Sequence, residues 1–158
     1  LLVKQDDKLF LTGGAIASLL QKEEPKDWDF YFIDYDTMKM FQRKIESYRT
    51  YIADVDDKYK EILGKDGKMI TANAITMDDG ASFITLFHNT PDVIRKTFDY
   101  VHCTPWYDLK TDKLHISKMQ YDACVNKHLV VNNKLYVKEH RTEKFLKRGY
   151  KLLDILAV

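Results

Sequence analysis

The sequence predicts one α/β domain, α+β in layout, in which helices flank a mixed sheet. Three observations carry this. Short apolar and aromatic runs that read as strands alternate with stretches whose apolar residues recur at helical spacing. The 158 residues are 45% hydrophobic, enough for one core and too little for two generous ones. No repeat or low-complexity tract divides the chain, so 1–158 reads as a single domain, with 138–158 a C-terminal basic helix and tail.

The elements follow in order. KLFLT, residues 8–12, reads as a strand ended by Gly13-Gly14, and AIASLLQ, 15–21, as a helix of two turns. KEEPK is a loop, and DWDFYFI, 27–33, is a strand rich in aromatic residues. Asp36 is placed to cap a long helix, with Met40, Phe41, Ile45, Tyr48 and Ile52 on its apolar face. A poorer helix is expected over 54–63 and a turn at Lys65-Asp66-Gly67. Residues 69–77 and 81–87 read as paired strands around Asp78-Asp79-Gly80. Pro91 opens a short helix. FDYVHCTPWY, 98–107, reads as a further strand, ending at an edge or bulge at Pro105. Ser117 caps a helix over 118–129, Asn132-Asn133 marks a hairpin or loop, and 139–150 is a basic helix closed by Gly149.

Charge selects no partner, because 25 Lys and Arg balance 24 Asp and Glu to a net +1. Two cysteines, Cys103 and Cys124, are too few for a disulfide scaffold. No signal peptide or run of about 20 apolar residues is present. The expectation is a soluble intracellular protein with reduced thiols. The start at Leu1 and the apolar end LLDILAV leave room for a longer parent chain.

Asp27 and Asp29 carry the chemistry. Alternation along a strand points both carboxylates to one side and Trp28 into the packing. Their mutual repulsion is offset by a divalent cation, and Mg²⁺ suits a pair of carboxylates that shares its ion with phosphate oxygens. A second metal at the same site would help activate an attacking hydroxyl and stabilise leaving pyrophosphate. Gly13 and Gly14 let backbone N–H groups approach phosphates at a helix start, Ser18 adds a hydroxyl, and Lys26 adds charge.

The joint pattern is a strand, Gly-Gly, a short helix, a charged loop, D-x-D and an apolar strand. It resembles the nucleotidyltransferase superfamily with the polymerase-β-like fold. It is most similar to the head domain of bacterial tRNA CCA-adding enzymes and poly(A) polymerases, whose GG-x-V-R-D-x-L-L motif stands here as Gly13 to Leu20. The resemblance implies that Asp27 and Asp29 bind catalytic metal and that the glycine turn holds a triphosphate. FDYVHC followed by Trp106-Tyr107-Asp108 is similar to that family's R-D-F-T-I-N-A-x-x-Y-D segment. Asp99 is thereby implied near the nucleotide's sugar or at the metal. RTEKFLKRGY, 141–150, is similar to the R-x-x-R-F-x-x-x-x-G-F helix that closes the head. Ala17-Ser18 replace the family's Arg-Asp, and Phe98 replaces the arginine before Asp99. The chain also resembles small nucleotidyltransferase-like proteins of bacteriophages. The nucleotidyltransferase resemblance implies an NTP substrate, Mg²⁺ and RNA as the acceptor. The phage resemblance implies the cytoplasm of a bacterial host, and the lack of a long apolar run predicts no membrane partner. The alternative is a non-catalytic nucleotide- or RNA-binding or phage accessory protein that keeps the fold.

Other groups were weighed against this. Asp99 also fits a strand-start cap. His102, three residues on, falls on the opposite side of a regular strand. Cys124 and His128, four apart on a helix, are a candidate metal pair. Arg141, Lys144 and Arg148 share one helical face, either solvated or contacting phosphate, as Lys147 and Lys151 add to the charge. Asp54, Asp56 and Asp57 read as a solvated helix start or loop.

Overall fold

A computed structural model describes residues 8–44, 74–76, 80–86 and 88–153. Six strands build the main sheet: β1 (Leu9–Thr12), β2 (Trp28–Phe32), β3 (Ala74–Thr76), β4 (Ala81–Ile84), β5 (Trp106–Asp108) and β6 (Lys113–His115). Their order is β3-β4-β2-β1-β5-β6. Neighbours are antiparallel except β2 and β4, which run parallel, so the sheet is mixed as expected.

Alternation decides what each face buries. On one face Leu9, Phe32, Ile75 and Phe83 pack against Met38 and Phe41 from α2, the helical residues 35–44. Beside them Leu11, Trp28 and Phe30 meet Ala15 and Ile16 of α1 (Gly14–Leu20). On the other face Phe10 stacks on Tyr31, and both pack against Ile94 of α3 (Pro91–Arg95). Thr12 and Asp29 share the parity of Phe10 and Tyr31 and pair across the β1–β2 ladder. Asp29 therefore emerges on the second face, at the end of the sheet.

A smaller layer covers that end. It comprises α4 (Lys118–Val125), β7 (His128–Leu129), α5 (Glu139–Lys147) and β8 (Lys151–Leu152), with β7 and β8 parallel. Tyr100, Cys103, Leu129, Phe145 and Tyr150 form its core. The capping box at Ser117 and Gln120 starts α4. The amides of Gly149 and Tyr150 close α5 on the carbonyls of Leu146 and Phe145. Gln21 ties this layer to α1 by donating from Nε2 to the Cys124 carbonyl at 2.8 Å and to the Tyr150 hydroxyl at 2.7 Å.

Several expectations need correction. Asp34, not Asp36, caps α2: its Oδ1 accepts the Thr37 amide at 2.8 Å. Residues 98–107 are not one strand. A bridge at Tyr100 is followed by a 3₁₀ turn, Val101–Cys103, before β5 begins. Asn132 and Asn133 dictate that turn by drawing the Asp99 carbonyl onto their amides at 2.7 and 3.3 Å. The helix from Lys118 stops at Val125, where Lys127 takes a left-handed conformation, so His128 lies on a strand. β2 starts at Trp28, which leaves Asp27 just before it. β6 follows residues that carried no strand signal in the sequence. Ile45, Tyr48 and Ile52, the helix expected over 54–63, the acidic residues Asp54, Asp56 and Asp57, the turn at 65–67 and the tip of the β3–β4 connection lie outside the described residues.

Gly80 fixes where β2 begins. It has φ +88°, and a β-carbon there would stand 2.9 Å from the Lys26 backbone oxygen. Its carbonyl accepts the Trp28 amide at 2.9 Å. Gly80→Ala combines left-handed strain with a backbone clash, and a loss of roughly 1–3 kcal/mol of stability is expected. Urea unfolding of the two proteins measures it.

Candidate active site

The end of the sheet, the turn after β1 and the inner face of α5 enclose a cavity of about 540 Å³. Gly13, Gly14, Ser18, Lys26, Asp27, Asp29, Asp99, Arg141 and Lys144 all line it. Residues chosen from separate stretches of sequence are thus brought to one place.

The glycine turn is shaped by a conformation that only glycine adopts readily. Gly13 has φ 94° and ψ −156° and stands at the N-cap of α1, where no side chain caps the helix. Its amide donates to the Cys103 carbonyl at 3.0 Å, so that N–H is already engaged. Thr12 is buried and donates from Oγ1 to the Pro105 carbonyl at 2.8 Å, fixing the turn from the other side. A β-carbon on Gly13 would lie 3.5 Å from Asp29 Oδ2, so the carboxylate rests against the turn.

Asp29 is the perturbed group. Burial, and then the charge of Asp27, push its carboxyl up to about 6, while Arg141 and Lys144 pull it partly back. Asp27 itself is exposed. A half-buried carboxylate and an exposed one beside a basic helix form a donor set suited to a divalent cation sharing phosphate oxygens. Among the described residues no three Asp, Glu, His or Cys come together as a metal cluster. The residues fit an ion held by Asp27 and Asp29 whose remaining ligands come from phosphate and water.

Asp99 does not join that pair as a free carboxylate. It is 4% exposed, and Arg141 donates from Nε to Asp99 Oδ2 at 2.6 Å and from a terminal nitrogen to Oδ1 at 3.4 Å. The Tyr100 amide also donates to Oδ1, at 2.9 Å. Expecting Asp99 as a metal ligand has no support in this arrangement, because its oxygens are taken by Arg141 and the backbone.

α5 lays a basic stripe along the cavity. Lys138 at its N-cap, then Arg141, Lys144 and Arg148, all face inward to the lining, and Phe145 is buried between them. Arg141 is half-buried, while Lys138, Lys144 and Arg148 remain exposed along the cavity. Lys127 also lines the cavity but is paired with Glu23 at 3.0 Å. Among the described residues no carboxylate pairs with Lys26, Lys138, Lys144 or Arg148.

Strand parity set His102 aside, but the 3₁₀ turn removes that parity. His102 is fully buried at the cavity's floor, with its ring 4.6 Å from those of Phe145 and Tyr150. Burial lowers its pKa to about 4, so the ring is neutral at pH 7. Burial pushes the Cys103 and Cys124 thiols up to about 12, which argues against a thiolate nucleophile or metal ligand. The Cys124–His128 pair is also lost, because His128 left the helix. The sequence reading passed over Asn132, whose side chain donates to the carbonyls of Arg95 and Phe98 at 2.9 Å and holds the chain entering Asp99. Its only sequence signal was the Asn-Asn pair read as a turn.

A raised carboxyl pKa has a definite consequence for stability. The folded state prefers Asp29 protonated, so its contribution is favourable below the ordinary carboxylate range and is lost as pH rises through about 6. Asp29→Asn removes that loss. The variant is expected to be more stable than the parent at pH 7–8, by on the order of 1–3 kcal/mol, with the difference vanishing below pH 4. Urea unfolding across pH measures it without added divalent ions.

Comparison with known proteins bears on the family and the fold. The model of the Gabija anti-defense 2 family matches residues 2–141. No curated protein sequence matches. Among solved structures, the chain is similar to the Thermotoga maritima CCA-adding enzyme complexed with tRNA, at TM-score 0.56 and 13% identity, over 94% of this chain and 36% of that one. It is similar to the Bacillus stearothermophilus CCA-adding enzyme in complex with CTP, at TM-score 0.54 and 12% identity, over 92% and 36%. An apo tRNA-processing enzyme matches at TM-score 0.57 and 11% identity, over 92% and 41%. The chain thus has the nucleotidyltransferase fold, and it spans little more than a third of the length of these structures.

Proposed function

The chain belongs to the Gabija anti-defense 2 family, and on that premise we propose that it is a Mg²⁺-dependent nucleotidyltransferase. It would move a nucleoside monophosphate from an NTP to an acceptor hydroxyl, with RNA as the acceptor class, and so act against Gabija defence. The observation that carries this reading is the common cavity. The two carboxylates, the glycine turn and the basic stripe of α5 line one space of about 540 Å³. Two of the solved neighbours are complexed with tRNA and with CTP, which supports the substrate class.

In this reading Asp27 and Asp29 hold the ion, which would supply charge neutralisation at the phosphates. Gly13 and Gly14 keep the turn narrow so that the triphosphate reaches the carboxylates, with Ser18 offering a hydroxyl. Lys144 and Arg141 face the phosphate charge, with Lys26 at the rim. The acceptor oxygen bonds to the α-phosphorus as the α–β phosphoanhydride bond breaks. Pyrophosphate leaves, and the hydroxyl proton passes to solvent. Catalysis of this kind is mainly positioning and electrostatics. Asp99 serves by fixing Arg141.

The second reading is a nucleotide- or RNA-binding protein without transfer. One observation favours it: Asp99 is engaged by Arg141, and among the described residues no three Asp, Glu, His or Cys come together as a metal cluster.

The test is label transfer from each α-³²P-labelled NTP to RNA and to protein with Mg²⁺. Asp27→Asn and Asp29→Asn are each expected to lower labelling by about a hundredfold or more while both variants remain folded by circular dichroism. Labelling retained in both variants contradicts the role of these aspartates. NTP binding without labelling in the parent selects the second reading.

A further inference from the structure

We propose that Tyr136 is the platform on which the nucleobase of the bound nucleotide stacks, an inference that rests on the nucleotide-site reading above. The cavity has two chemically different ends. Arg141 and Lys144 of α5 line the cavity together with Asp29 and the glycine turn, which sets the middle and later part of that helix at the phosphate end. Lys138 stands at the other end of that helix, about 9 Å earlier along its axis. Tyr136, just before it, lines the same cavity. A nucleotide whose phosphates lie against Asp29 and the glycine turn extends along α5 past Arg141 and Asp99. It reaches the Tyr136 end with its base.

Tyr136 is mounted for such a role. It belongs to a 3₁₀ turn, Lys134–Tyr136, capped by Asn133, whose Oδ1 accepts the Leu135 amide at 3.1 Å. Asn133 Nδ2 donates to the Lys96 carbonyl at 2.7 Å, and the Asn133 amide donates to the Asp99 carbonyl at 3.3 Å. The turn is therefore hung from the residue that also holds Arg141. Core packing does not account for the ring: it is 45% exposed, while its neighbour Val137 packs against the core of the smaller layer. Among the described residues no other ring stacks on it. An aromatic ring in the lining of a cavity whose α5 side is basic offers what phosphates do not use and bases do. Stacking serves any base, and the larger face of a purine gains most.

The test separates base from phosphate. Binding of each of the four Mg·NTPs and of Mg·tripolyphosphate is measured by calorimetry for the parent, Tyr136→Ala, Tyr136→Phe and Tyr136→Trp. Tyr136→Ala is expected to weaken NTP binding about tenfold or more, to leave tripolyphosphate within twofold, and to be rescued by Phe and Trp. Unchanged tripolyphosphate binding also shows that the variant is folded. Equal weakening of both ligands, no weakening of either, or a parent that binds tripolyphosphate as tightly as every NTP overturns the stacking role and leaves the phosphate site standing. A parent that binds neither ligand overturns the nucleotide-site reading itself.

Discussion

The charge of Asp29 is the constraint around which this end of the molecule is arranged. A carboxylate in the ladder between β1 and β2, sharing the face of Phe10 and Tyr31, loses water that nothing apolar replaces. Asp27 adds repulsion, and Arg141 and Lys144 recover part of the cost. Gly13 is there because the turn beside the carboxylate takes φ +94°, a conformation that side chains rarely adopt. A protein selected only for stability has no use for such a group, and a site for a phosphate-bound cation does.

Arg141 links this group to the rest of the cavity. Its bonds to Asp99 anchor α5 over the sheet end, and its charge reaches Asp29. Partial exposure of the guanidinium keeps the pair from being a wholly desolvated one. The same contact that fixes the basic stripe removes Asp99 from metal binding. The motif positions are therefore not equivalent: Asp27 and Asp29 line the cavity, and Asp99 is bonded to Arg141.

Much of the architecture was legible because it rests on local periodicity. β1, β2 and α1 follow from alternation, the glycine pair and helical spacing, and the face of Asp29 follows from strand parity, whereas Asp27 lies just before the strand. The segment from Phe98 to Tyr107 was misread because its turn is imposed from 30 residues away: Asn132 and Asn133 draw in the Asp99 carbonyl. No window on the sequence contains both partners. His102 was set aside for the same reason, since parity has no meaning in a 3₁₀ turn. The end of α4 was overextended because the left-handed Lys127, unlike a glycine, gives no stop signal. The basic residues of α5 were visible as one face, but their turning toward a cavity depends on the tertiary pairing of Arg141 with Asp99.

The measurement that bears most directly on this account is the Asp29 side-chain titration by carbon-detected NMR. It is run on the protein alone and with Mg²⁺ and a non-hydrolysable NTP. The account predicts an apparent pKa of about 6 in the free protein, falling to the ordinary carboxylate range or below once cation and nucleotide are bound. A titration near the ordinary value in the free protein, or one that Mg²⁺ and nucleotide leave unmoved, would contradict it.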